Sequence, residues 1–185
     1  MNDSPSIDVA ALPGRLAADL DAAFPDVVRA LQDDVFSGAL RMTRDRHAAE
    51  DIAQEAFARG YRALRTYDAE RIRALALRGW IWTIAANLCR NRARSRSRRP
   101  ESPLADRDVA DEAASPESVA LASEGPLAAL VGGLPWPQRA GVVLRHVVGL
   151  SYEEIADALD RPVGTVKSDV HRGLAALRSH LEVQP

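Results

Sequence analysis

With 185 residues, 46% of them apolar and 27% charged, the chain can bury a core and suits one ordinary domain or two small ones. Its one cysteine, Cys89, excludes an internal disulfide framework and a Cys-based zinc site, and no apolar run approaches the about 20 residues that cross a bilayer. The formal net charge of −2 hides a segregation, because residues 40–99 carry 15 basic and 6 acidic side chains and residues 100–124 carry 1 and 7. Clustered arginine of this kind is the footprint of a polyanion partner. The acidic N-terminus lacks the basic and apolar segments of a signal peptide, so a cytoplasmic location without membrane insertion is expected.

Ala, Leu and Arg abound while Thr, Ile and aromatics are few, which predicts an all-α protein. Residues 1–14 read as an N-terminal extension with no assigned role, and residues 15–99 as a basic helical domain. There, Phe24, Val27, Val28, Leu31, Val35, Ala39 and Leu40 recur at the spacing of one buried helical stripe. A second helix is predicted over His47–Leu64, with Ile52, Ala56, Phe57 and Leu64 inward. The third runs over Leu77–Arg98 and buries Ile81, Ile84, Leu88 and Trp80. Three helices of this length make one small bundle.

Residues 100–124 contain Pro100, Pro103 and Pro116 among acidic and small residues and read as a flexible acidic linker. Residues 125–185 form a second domain. In it Arg139–Val148 reads as an apolar helix stopped by Gly149, and Ser151 with Glu154 forms a capping box for a helix over Tyr152–Leu159. Asp160 falls at a sharp turn, where Asp tolerates the left-handed conformation. A final helix follows Pro162 to about Leu181, with Val166, Val170, Leu174, Leu177 and Leu181 on one face.

Two short helices joined by a tight turn, with Ile155, Ala156, Val166 and Val170 inward, have the layout of a helix-turn-helix. At 100° per residue Thr165, Ser168, His171 and Arg172 then lie outward, with Lys167 at the edge, where a DNA major groove would meet them. An ordinary helical hairpin with a solvated face has the same spacing. The segment over residues 77–99 carries six arginines from Arg90 onward, preceded by Trp80, Trp82 and Asn87. Arginine neutralises phosphate and aromatic faces stack on unpaired bases, a combination suited to DNA that must be melted. The plainer reading is one core tryptophan and a nonspecific basic tail.

The segments GLSYEEIADAL and PVGTVKSDVHRGLAALR resemble the C-terminal domain of the extracytoplasmic-function sigma factors, in the sigma-70 family. The resemblance implies that the last helix reads the minus-thirty-five promoter element through Thr165, Lys167, Ser168, His171 and Arg172. Asp169 stands where that family usually has arginine. An acid beside phosphates repels them, so this helix is expected to dock differently or to bind more weakly. The run RDRHAAEDIAQEAFARGYRAL is similar to the family's polymerase-binding helix, which implies that Asp51, Gln54 and Glu55 grip the large polymerase subunits. Read without the family, such residues are more often simply solvated.

LRGWIWTIAANLCRNRARSRSRR is similar to the segment that recognises and opens the minus-ten element, which gives Trp82, Asn87, Arg90, Arg92 and Arg94 that role. The resemblance thus implies a sigma-2-like bundle of three to four helices and a sigma-4-like helix-turn-helix domain. Implied partners are RNA polymerase core (the beta-prime and beta subunits), promoter DNA and an anti-sigma factor. The acidic linker either threads through polymerase or is a plain solubilising tether. No catalytic constellation, metal-ligand spacing or cofactor loop is present, so neither enzyme activity nor a cofactor is expected. The rival reading is a dimeric helix-turn-helix regulator that binds its operator without polymerase.

Overall fold

Asp19, Asp45 and Asp68 each accept a hydrogen bond from the backbone N–H three residues ahead, those of Ala22 (3.0 Å), Ala48 (2.8 Å) and Arg71 (2.7 Å). A carboxylate in this place satisfies a donor that the first helical turn leaves unpaired. These aspartates open three of the five helices in the N-terminal half of the computed structural model, which describes residues 7–98 and 126–182. The linker expected at 100–124 lies outside the described residues.

The N-terminal half comprises α1 (Leu12–Ala18), α2 (Leu20–Thr43), α3 (Arg46–Leu64), α4 (Ala69–Arg73) and α5 (Leu77–Arg98). The three long helices are those expected, and they pack around Val27, Leu31, Val35, Ile52, Phe57, Ile81 and Trp82. Two short helices were not expected. Helix α1 packs on α2 and α4 and buries Leu12 and Leu16, so the core begins inside the segment read as an N-terminal extension. Trp82 is 0% exposed and lies against Gly38 of α2, where a Cβ would overlap the indole ring.

The C-terminal half comprises α6 (Pro126–Gly133), α7 (Trp136–Val142), a π-helical turn (Val143–Val147), α8 (Tyr152–Leu159) and α9 (Val163–Glu182). The single helix expected over Arg139–Val148 is divided, and the π turn closes with Val148 N–H donating to the Val143 carbonyl at 3.0 Å. The capping box is present in both directions, with Glu154 N–H on Ser151 Oγ (3.1 Å) and Ser151 N–H on a Glu154 carboxylate oxygen (2.7 Å). Asp160 ends α8 in the left-handed conformation, at φ 52°. On α9, Val166, Val170 and Leu177 are buried, whereas Leu174 and Leu181, expected on the same face, are exposed. Leu177 packs with Leu134 and Val142 as the last buried residue of the helix, and Leu181 lies one turn past that cover.

Among the described residues every regular element is helical. The two halves also share a core. Helix α8 packs along α5, and α2 meets α6, α7 and the π turn, so that buried residues of both halves form one contiguous cluster. Polar contacts reinforce this interface, where Arg90 of α5 donates to the Leu159 carbonyl at 2.6 Å and Arg44 donates to the Gly132 carbonyl at 3.3 Å. Gly79 makes the close approach possible, because a Cβ there would overlap the Glu154 carboxylate.

Candidate nucleic-acid interface

The helix-turn-helix consists of α8, the turn at Asp160 and α9. Arg161 N–H donates to the Ala156 carbonyl at 3.0 Å, and Thr165 N–H to Pro162 at 2.9 Å, which closes the turn and starts α9. With Val166 and Val170 buried beneath, Lys167, Ser168, His171 and Arg172 are exposed and Thr165 is half-buried. Lys167 and Ser168 make contacts close by. The Lys167 ammonium stands 5.5 Å above the ring of Tyr152, and Ser168 Oγ donates back to the Gly164 carbonyl at 2.9 Å.

Asp169 does not face outward. Its carboxylate is buried, at 4% exposure, with one oxygen on the guanidinium of Arg161 and the other 2.7 Å from Nη2 of Arg172. The charge of this acid is therefore enclosed between two cations instead of standing open on the outer face. Arg161, immediately after the turn residue, carried no signal of this pairing in the sequence.

On α5 the five expected residues fare differently. Trp82 is in the core, so it is unavailable for base stacking, and its Nε1 finds no hydrogen-bond acceptor among the described residues. Trp80, assigned inward from the sequence, packs partly buried against the core, with its ring 6.0 Å from that of Tyr67, over which Arg71 stands at 3.6 Å. Asn87 is half-buried and Arg94 exposed. The Arg90 side chain, 15% exposed, is engaged by Leu159 and lies 3.6 Å from the Asp160 carboxylate, while Arg92 pairs with Asp45 at 3.0 Å.

Helix α3 presents Asp51 and Gln54 to solvent, on a stripe separate from buried Ile52, Ala56 and Phe57. Glu55 beside them is half-buried and accepts from Arg59 Nε at 2.7 Å and Arg62 Nη2 at 3.3 Å. The hydrogen bond from Arg59 holds the Glu55 carboxyl below its ordinary range. Among the described residues no cluster of His, Cys, Asp and Glu is arranged to hold a metal, and no helix is long and apolar enough to cross a membrane.

A family model described as Sigma-70 region 2 matches residues 27–99, and one described as Sigma-70, region 4 matches residues 125–177. The ECF RNA polymerase sigma factor SigW of Bacillus subtilis is 35% identical over 173 residues, which span 86% of this chain and 89% of that one. The chain belongs to the extracytoplasmic-function sigma factors. The ECF sigma factor SigE of Mycolicibacterium smegmatis is 38% identical over 167 residues, and this chain spans 63% of that relative's length. The sigma-E factor of Escherichia coli is 35% identical over 146 residues, or 73% of each chain.

Two solved structures share the fold of this sigma factor. CnrH in complex with the cytosolic domain of CnrY has a TM-score of 0.64 at 22% identity, over 95% of this chain and 98% of that one. The sigma factor RpoE from Bartonella quintana, in complex with the anti-sigma factor NepR, has a TM-score of 0.63 at 21% identity, over 88% and 98%. At these identities the likeness is one of fold. As a sigma factor the protein directs RNA polymerase to promoters and initiates transcription there.

Proposed function

We propose that this sigma factor reads the minus-thirty-five element with Thr165, Lys167, Ser168, His171 and Arg172, and engages the minus-ten region with Asn87, Arg90, Arg92 and Arg94. The observation that carries the reading is α9 itself, whose polar stripe lies open while Val166 and Val170 anchor its other side. Stacking on unpaired bases passes from buried Trp82 to the partly buried pair Trp80 and Tyr67, which keep some exposed surface. Asp51, Gln54 and Glu55 grip RNA polymerase core through its beta-prime and beta subunits. Arg90 reaches DNA in a state where it has left the Leu159 carbonyl.

The chain performs no chemistry and takes no cofactor; phosphodiester synthesis belongs to polymerase. It works in the cytoplasm, and an anti-sigma factor holds it inactive. The complex of RpoE, which shares this fold, with the anti-sigma factor NepR supports the latter. The test is run-off transcription with purified polymerase core, this protein and a fragmented genomic library. Discrete transcripts that need both proteins are the expected result. Operator binding by a dimer, without activation of core, would overturn it in favour of a conventional helix-turn-helix regulator.

A further inference from the structure

We infer that Asp169 is a positioning residue that fixes Arg161 and Arg172 as a paired cationic clamp on the promoter backbone, with Arg161 a further phosphate-contacting residue of the helix-turn-helix. This rests on the reading of α9 as the promoter-contacting helix. Three observations meet here. Asp169 is buried at 4% exposure, its two carboxylate oxygens take two different guanidinium groups, and those groups reach the surface, with the Arg161 side chain 28% and the Arg172 side chain 61% exposed.

A carboxylate removed from water is strongly unfavourable unless it is paired and hydrogen-bonded, and both conditions are met. The pairing leaves donors over. A guanidinium carries five N–H groups in a planar fork, so each arginine keeps several for a phosphate after one is committed to Asp169. The cluster carries two positive charges against one negative and remains attractive to DNA.

The arginines come from different elements. Arg172 lies one turn along α9 from Asp169, at the three-residue spacing where side chains meet, while Arg161 reaches in from the turn, its own backbone N–H held by Ala156. Free arginine side chains lose considerable rotamer freedom on binding, and here that freedom is already spent in the unbound fold. The acid at position 169 thus replaces one phosphate-contacting arginine by a device that orders two.

The experiment uses holoenzyme reconstituted from polymerase core and the full chain, with a promoter fragment recovered from the run-off selection, and measures affinity across a potassium chloride series. Arg161→Gln, which leaves Asp169 its pair with Arg172, is expected to weaken binding and to reduce the slope of log K against log salt by about 0.9, the value of one phosphate contact. Asp169→Asn removes the charge but keeps an acceptor, and is expected to weaken binding about fivefold, an effect that shrinks when Arg161→Gln is already present.

An unchanged slope for Arg161→Gln overturns the inference. So does tighter binding by Asp169→Asn, which would restore simple repulsion by the acid. If Asp169→Asn fails to fold, the salt slope of Arg161→Gln still decides. A wild-type holoenzyme that initiates normally while these variants behave like it refutes the clamp and leaves the promoter reading standing; one that initiates at no promoter refutes the reading itself.

Discussion

The indole of Trp82 on α5 occupies the space that the missing side chain of Gly38 leaves on α2. A mid-helix Gly→Ala substitution ordinarily stabilises by about 1 kcal/mol through helix propensity. At position 38 the new methyl would overlap a fully buried ring, and overpacking of that kind costs about 1–3 kcal/mol. Gly38→Ala is therefore expected to lower the thermal midpoint, and Gly38→Ala combined with Trp82→Phe to recover part of the loss. A rise in the midpoint for the single variant would show that the ring does not sit there.

Trp82 and Trp80 are expected to separate stability from promoter opening. Trp82→Ala removes a core side chain and costs about 3–5 kcal/mol, which denaturant unfolding reads directly. Trp80→Ala, at a partly buried ring on the edge of the core, is expected to cost less stability than Trp82→Ala while reducing permanganate reactivity of thymines in the open promoter complex. The reverse ranking would return the stacking role to Trp82.

Cys89 is shielded by burial, which pushes its thiol from an ordinary 9.0 up to about 12. The unfolded thiol ionises near its ordinary value while the folded one stays neutral. The contribution of this thiol to stability is therefore fully present below about pH 9 and is lost as pH rises from there toward 12. A thiol reagent at pH 8 is expected to label the native protein very slowly and the denatured protein at once. Rapid labelling of the native form would contradict the burial.

The α3 stripe is expected to matter for polymerase and little for folding. Glu55→Gln gives up exposed pairs with Arg59 and Arg62, and such pairs contribute about 1 kcal/mol or less. Thermal unfolding should change little for Asp51→Arg and Glu55→Gln, whereas competition with another sigma factor for polymerase core should weaken, most for the charge reversal. Undiminished competition would remove the stripe from the polymerase interface.

Much of this architecture was legible in the sequence where the deciding information is local. The Ser151 and Glu154 capping box is a matter of three-residue spacing, the turn at Asp160 of one residue's conformational tolerance, and the inward set Ile52, Ala56, Phe57 and Leu64 of helical period. Helices α1 and α4 span too few residues to establish a period. Trp82 is drawn fully into the core because the cavity that receives it is made by Gly38, far away in the chain, while Trp80 packs at the core's edge. On α9, Asp169 and Lys167 lie at about equal angles, roughly 80°, to either side of the buried stripe. Periodicity cannot distinguish those two flanks; Arg161 covers one of them.

The clasp between the two halves has an asymmetry of its own. Arg90 binds the main-chain oxygen of Leu159, an acceptor that any amino acid at that position would supply. A solvent-facing change on α8 or the turn therefore leaves this hydrogen bond in place, while the buried face of α8, Ile155, Ala156 and Leu159, stays tied to the shared core. The hydrogen bond thus draws on a side chain of α5 and only the backbone of α8, so outward-facing positions of α8 are free to diversify while this contact is kept.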